Sequence, residues 1–156
     1  MPSPQPYRSK TVAAWLTLAL GALGLHRLYL YGRRDRLVWA YPLPTLLGLA
    51  GVQRLRALGQ DDMLAWLLIP LLGLMLSLAS LTAIVYALTP DEKWDARHNP
   101  GQPVHATGWA PVLAAILALL LGGAAFMATI AYGGQKFFEW QMAAPVARVQ
   151  ARAWIG

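Results

Sequence analysis

The sequence predicts an all-α polytopic membrane protein, with four transmembrane helices arranged as two antiparallel hairpins. Three observations carry this expectation. The 156 residues are 57% hydrophobic and only 13% charged, with a mean hydropathy of +0.43, a balance unlike that of a soluble domain. Long apolar runs recur, and about 20 helical residues cover the ~30 Å hydrocarbon core. The runs are unbroken rather than alternating. Since lipid cannot satisfy unpaired backbone groups and barrel strands alternate, these spans read as helices.

Residues 1–10 form a tail with three prolines and are expected to be irregular. The first hairpin covers residues 11–58. Its first run, Thr11 to Leu30, is free of charge until His26 and Arg27. The basic n-region of a signal peptide has a parallel in Arg8 and Lys10, but apolar character resumes after Gly24 with Leu25 and Leu28, so the segment reads as retained. The second run, Leu37 to Val52, would rise only about 24 Å as a helix. It therefore either extends toward Leu58, with Arg54 and Arg56 reaching the headgroups, or sits in thinned bilayer. Tyr41-Pro42-Leu43-Pro44 removes two backbone donors and predicts a kink or a late helix start. The loop at 31–36, with Arg33, Arg34 and Arg36 against Asp35, is short enough to force an antiparallel pair.

The second hairpin covers residues 63–132 and contains a polar loop at 89–109. Its runs, Met63 to Leu88 and Ala110 to Tyr132, contain no Asp, Glu, Lys, Arg or His. Asp61 and Asp62 suit the N-terminus of the third span, and Pro70 predicts a kink within it. Thr89-Pro90-Asp91-Glu92 has the form of a capping box, with Thr as N-cap, Pro at N1 and Glu at N3. It predicts a short helix from Pro90 that stops before Asn99-Pro100-Gly101. Trp94 among charges places that helix at the bilayer surface, or leaves it as a solvated turn. Residues 133–156 form an amphipathic basic tail with Lys136, Phe137, Phe138, Trp140, Arg148 and Arg152. It either continues the last helix or lies along the interface.

In "GALGLHRLYLYG", Gly21 and Gly24 are three residues apart, near one helix face, where glycine lets another backbone approach. Arg27 is expected in the last helical turn, its charge complementing the helix dipole and its stem snorkelling to the headgroups. Tyr29 and Tyr31 suit the same depth. Lys10, the apolar run, Gly21, Gly24 and then His26-Arg27-Leu28-Tyr29-Leu30 resemble the two-transmembrane (TM-2) domain. That family has a Gly-rich first helix ending in Asp-Arg-Phe or His-Arg-Phe, followed by Tyr-Leu-Gly. The resemblance covers about Lys10 to Val52, with Leu28 at the Phe position and Tyr31 intervening before Gly32. It implies a bacterial protein in which this hairpin is fused to a second one.

The chemistry the sequence offers is sparse. No ionisable residue lies in the centre of a run, which argues against a proton-coupled exporter or voltage sensor. There is no nucleophile elbow, phosphate-cradling glycine loop or His-Glu-x-x-His, so no enzyme is expected. No cofactor is expected either, and the absence of cysteine excludes thiolate-ligated metal. His26, His98 and His105 fall on one predicted side, near Asp91 and Asp95, and are the candidates for a metal-responsive sensor. His98 and His105 nevertheless lack helical metal-site spacing. Thr17, Thr45, Ser77, Ser80, Thr82 and Thr129 are the hydroxyls from which a self-associating channel or transporter-like protein would line its path. The basic excess suits anionic headgroups rather than nucleic acid.

The leading expectation is thus a non-enzymatic accessory or scaffolding protein of a bacterial cytoplasmic membrane. Its partners would be the bilayer and another membrane protein or a second copy. Four spans put Arg8, Lys10, Arg54, Arg56, Lys136, Arg148 and Arg152 on one side, and Arg27, Arg33, Arg34, Arg36, Lys93 and Arg97 on the other. Setting aside the distant Arg148 and Arg152, the basic balance tilts loops 31–36 and 89–109 toward the cytoplasm.

Overall fold

The computed structural model describes the backbone of residues 6–153 and side chains as far as residue 142. Residues 1–5 of the tail lie outside the described residues, as do the side chains of Arg148 and Arg152. Every regular element in the described region is helical: α1 (Lys10–Leu20), a 3-10 turn (Gly21–Leu23), α2 (Leu25–Tyr31), α3 (Arg36–Ala40), α4 (Pro42–Leu58), α5 (Met63–Leu88), α6 (Asp91–His98) and α7 (Ala110–Ala153). Two of these helices, Met63–Leu88 and the Ala110–Met142 portion of α7, are long and apolar enough to cross a membrane. The four spans expected from the sequence are not all present as such helices.

The difference lies in the first run. A continuous helix over 11–30 is replaced by two short helices joined at Gly24, which is left-handed at φ 77°. A side chain in that region is disfavoured, and glycine carries none. Contacts fix the direction of each arm. Lys10 Nζ donates to Thr89 O at 2.9 Å beyond the end of α5, and Gly21 lies against Ala79 near the middle of α5. After the turn α2 runs back, because Ser9 N donates to Tyr29 Oη at 2.9 Å and Ala13 packs with Leu30 and Trp94. The first run is therefore a V whose two ends meet beside α6. Thr45 Oγ1, from α4, donates to Ala22 O at 2.5 Å and so satisfies a carbonyl at the break.

The chain then runs from the α6 end to the opposite end through α3 and α4, interrupted at Tyr41, where Pro42 occupies the first turn of α4. Val38 O and Tyr41 flank Gly24, Gly48 lies on Leu72, and Gly51 lies on Leu68. At the far end Arg54 grips Asp62 through both carboxylate oxygens, at 2.7 and 3.0 Å. Asp62 also caps α5, accepting from Ala65 N. From there α5 returns to the α6 end without interruption at Pro70, and α7 runs back beside it until Lys136 Nζ donates to Gln60 O at 3.0 Å. The backbone of 133–153 continues the last helix, and at ~1.5 Å per residue the 44 residues of α7 are longer than a bilayer is thick.

Small residues on α5 and α7 set the spacing of that pair. A Cβ on Gly122 would collide with Ser80, whereas one on the adjacent Gly123 would meet open space. Gly122→Ala is therefore expected to destabilise the protein by about 1–3 kcal/mol through overpacking. Gly123→Ala should be neutral or stabilise by up to ~1 kcal/mol, since alanine restricts the helix less than glycine. Thermal melts of the two variants in one detergent compare them, and equal melting temperatures would refute the close packing at Ser80.

The capping box also differs from expectation. Thr89 terminates α5, its hydroxyl donating to Val85 O at 2.6 Å, and α6 begins at Asp91 with Pro90 in the N-cap position. The hydroxyl that would cap α6 is taken by Val85 O one turn back in α5, while Asp91, in the first turn of α6, is held by Lys10 and Thr107.

Candidate functional site

The polar groups converge at the α6 end, where residues 7–10 cross α6 and the 99–107 loop. Trp94 and Asp95 face inward from α6, each with about 2% of its surface exposed. Trp94 Nε1 donates to Arg8 O at 2.8 Å. Asn99 binds the same residue twice: its Oδ1 accepts from Arg8 N at 2.7 Å, and its Nδ2 donates to Arg8 O at 3.2 Å. The Arg8 guanidinium donates to Leu30 O, the last buried residue of the V.

Two carboxylates close this clasp. Asp95 accepts from Asn99 Nδ2 at 2.7 Å and from His105 N at 2.8 Å. Asp91 pairs with Lys10, whose side chain is only 7% exposed, and accepts from both the N–H and the hydroxyl of Thr107, at 2.8 and 2.7 Å. Burial opposes ionisation of Asp91, but Lys10 and the two Thr107 donors outweigh it and hold the carboxyl at about 2. Burial likewise acts against Asp95, and the His105 N–H, Asn99 and Tyr7 bring it below the ordinary carboxylate range.

The expected site residues are distributed around this clasp rather than along one interfacial stripe. Gly21 lies in the arm facing α5, and Gly24 at the apex. Arg27 lies in the first turn of α2 rather than in a last turn, so its partner is not a helix C-terminus. It forms an ion pair with Asp35 at 2.7 Å and lies 5.1 Å from the centre of the Tyr31 ring. Leu28 is half-buried, Tyr29 accepts from Ser9, and Tyr31 is 42% exposed. Asp35, whose carboxylate also caps α3, was visible in the sequence only as the acid within a basic loop.

The three histidines are held separately. His26 is 1% exposed, between Tyr41 and Tyr86, with ring centroids 5.4 and 6.1 Å away, and neither ring nitrogen has a hydrogen-bond partner. His98 stacks on Trp94 at 4.2 Å, and burial pushes its imidazole below the usual value. His105 rests against Tyr7 at 4.5 Å. Among the described residues no group of three or more His, Cys, Asp and Glu side chains is placed to hold a metal ion.

Sequence reasoning missed Arg8, Lys10 and Asn99 as partners of α6. A pairing across 91 residues leaves no local pattern. The only trace was the concentration of donors and acceptors at the two ends of apolar runs.

Comparison with family models, with curated proteins and with solved structures gives no match, so the resemblance to the two-transmembrane domain rests on its residues alone.

Proposed function

We propose that this is an integral membrane protein of non-enzymatic, accessory or scaffolding type in a bacterial cytoplasmic membrane, crossing three times. The crossings are α3–α4, α5 and α7, while the V of α1 and α2 enters and leaves on the α6 side. This revises the four-span reading by one crossing and leaves the resemblance to the TM-2 domain in its motif residues, Gly21, Gly24 and His26-Arg27-Leu28-Tyr29-Leu30, rather than in a two-span hairpin. The observation that carries it is the clasp: it ties residues 8–10 to Thr89, Asp91 and Asn99 at one end of the apolar bundle. Its two carboxylates and its lysine are engaged with one another and with the loop, as befits a fixed surface rather than a reaction centre.

Three crossings also change the charge balance. Arg8, Lys10, Arg27, Arg33, Arg34, Arg36, Lys93 and Arg97 now share the α6 end, against Arg54, Arg56, Lys136, Arg148 and Arg152 at or beyond the other. The excess favours a cytoplasmic α6 end. Arg33, Arg34, Arg36, Lys93 and Arg97 are exposed there, ready for anionic headgroups or an acidic partner.

The chain has no cysteine, so single cysteines report topology against a clean background. An impermeant maleimide is expected to label Pro6→Cys and Val104→Cys from one side and Gly59→Cys from the other. Labelling of Pro6→Cys with Gly59→Cys restores four spans. The accessory role is tested by native mass spectrometry of protein extracted from its own membrane in mild detergent. A defined heterologous partner supports it, and a homo-oligomer alone would replace it with the channel.

A further inference from the structure

At the end opposite the clasp, the α4–α5 turn and α7 enclose a pocket of about 270 Å³ lined by Asp61, Asp62, Trp66, Lys136, Glu139 and Trp140. Its charges do not cancel. Asp62 has both oxygens on Arg54. Glu139 accepts from Lys136 Nζ at 2.7 Å and from Gln135 Nε2 at 2.8 Å. Asp61 has no hydrogen bond or ion pair among the described residues, and it leaves three carboxylates against two cations. Two indoles wall a pocket with one negative charge in excess, a combination that favours an ammonium group through both charge and the aromatic quadrupole.

The same α5–α7 seam continues into an apolar groove of about 440 Å³. It starts one turn from Trp66 at Ile69, and one turn from Lys136 at Tyr132, and runs past Leu72, Leu76 and Ala125. Tyr132 lines the groove, one turn from Lys136 of the pocket, and its hydroxyl is buried without a hydrogen-bond partner. A buried hydroxyl left unpaired is costly, and a phosphate or ester oxygen would satisfy it. Head pocket, orphan donor and tail groove thus follow one another in the order of a phospholipid's own parts.

We infer that this seam binds a phospholipid with an ammonium headgroup, such as a phosphatidylethanolamine or phosphatidylcholine. The ammonium lies between Trp66, Trp140 and Asp61, the Tyr132 hydroxyl donates to the phosphate or glycerol ester, and an acyl chain fills the groove. The inference rests on the membrane reading above. Asp62 and Trp66 fit the depth it requires, since the first turn of a spanning helix lies at the headgroup level, where tryptophan is enriched.

The test is native mass spectrometry of the detergent-solubilised full chain, given equimolar phosphatidylethanolamine, phosphatidylcholine and phosphatidylglycerol of identical acyl chains. The wild type is expected to retain one or both ammonium lipids about three- to fivefold over phosphatidylglycerol, the scale of an exposed cation–π contact. Asp61→Asn and Trp140→Leu should each bring that ratio close to one, while Tyr132→Phe should weaken retention of all three lipids. Equal retention by the wild type, or a preference unchanged in Asp61→Asn and Trp140→Leu, overturns the inference. Tetramethylammonium bound as tightly as the lipid would show a soluble ammonium site and overturn the lipid assignment. Alkaline carbonate extraction of membranes keeps the two readings apart, because release of the protein defeats the membrane reading itself.

Discussion

Gly24→Leu is expected to lower stability by about 2–5 kcal/mol and to unseat the V of α1 and α2. Two costs combine. The backbone is left-handed at φ 77°, where an L-residue loses about 1–2 kcal/mol. A Cβ would also stand 2.8 Å from Tyr41 Cβ and 3.1 Å from Val38 O, and overpacking adds about 1–3 kcal/mol. Val38 O belongs to backbone, so the collision cannot be relieved by a rotamer change. Gly101→Ala separates the two costs, since Gly101 shares the positive φ, at 82°, but has nothing within 4 Å of its added Cβ. Melting in detergent should therefore fall much further for Gly24→Leu than for Gly101→Ala. If the two fall equally, Gly24 is only a turn residue and its packing against α3 and Tyr41 carries no weight.

Gly24 also shows what the sequence could and could not disclose. Apolar runs report how much chain is hydrophobic, and this is enough for α5 and α7, whose ends at Met63, Leu88 and Ala110 agree with the run boundaries. They do not report the sense in which a helix travels. Between Thr11 and Leu30 the run remains apolar through the reversal, because both arms of the V pack on other helices. The glycine spacing was legible as close approach, but nothing in it marks the left-handed break at Gly24. Asp62 and the Tyr41-Pro42 interruption were legible for a simpler reason: capping and proline act within one turn. Thr89 obeys equally local rules with the opposite outcome, since its hydroxyl bonds back to Val85 O one turn earlier and ends α5 instead of starting α6.

The candidate site was legible in fragments. His26, Arg27, Tyr29 and Tyr31 stood out as polar groups ending an apolar run, but the interfacial depth assigned to them follows only if the run crosses the membrane. Once it doubles back, His26 becomes an interior residue between two tyrosines, and Arg27 turns to Asp35. The headgroup pocket drew on Asp61, Trp66 and Trp140, which are separated in sequence and meet only because α5 and α7 run antiparallel. No spacing rule joins them.

Lys10→Met is expected to cost about 3–5 kcal/mol, the penalty for leaving one partner of a buried ion pair uncompensated. The side chains are 7% and 21% exposed for Lys10 and Asp91, so solvent screens the pair poorly. Lys10 also donates to Thr89 O at 2.9 Å, and its loss frees the end of α5 as well as the carboxylate. Adding Asp91→Asn to Lys10→Met should recover part of the loss, because the stranded charge is gone while the amide oxygen still accepts from Thr107; a coupling of about 0.5–3 kcal/mol is expected for residues in contact. Two single losses that simply add would mean the pair is not a unit. The pH dependence has a definite sign. The Asp91 carboxyl is lowered to about 2 in the folded protein from 3.8, so the unfolded chain binds the proton first. Its contribution is complete above about 4 and is lost as pH falls through about 2. Tryptophan fluorescence, with Trp94 buried in the same clasp, should therefore hold steady down to about pH 4 and change below it. In Lys10→Met the Asp91 carboxyl loses the cation that holds it down, and the transition should move upward in pH. A transition unmoved by Lys10→Met would place the acid sensitivity elsewhere, at Asp95 or at the Arg54–Asp62 pair on the far end, and the clasp would no longer be what couples residues 8–10 to α6.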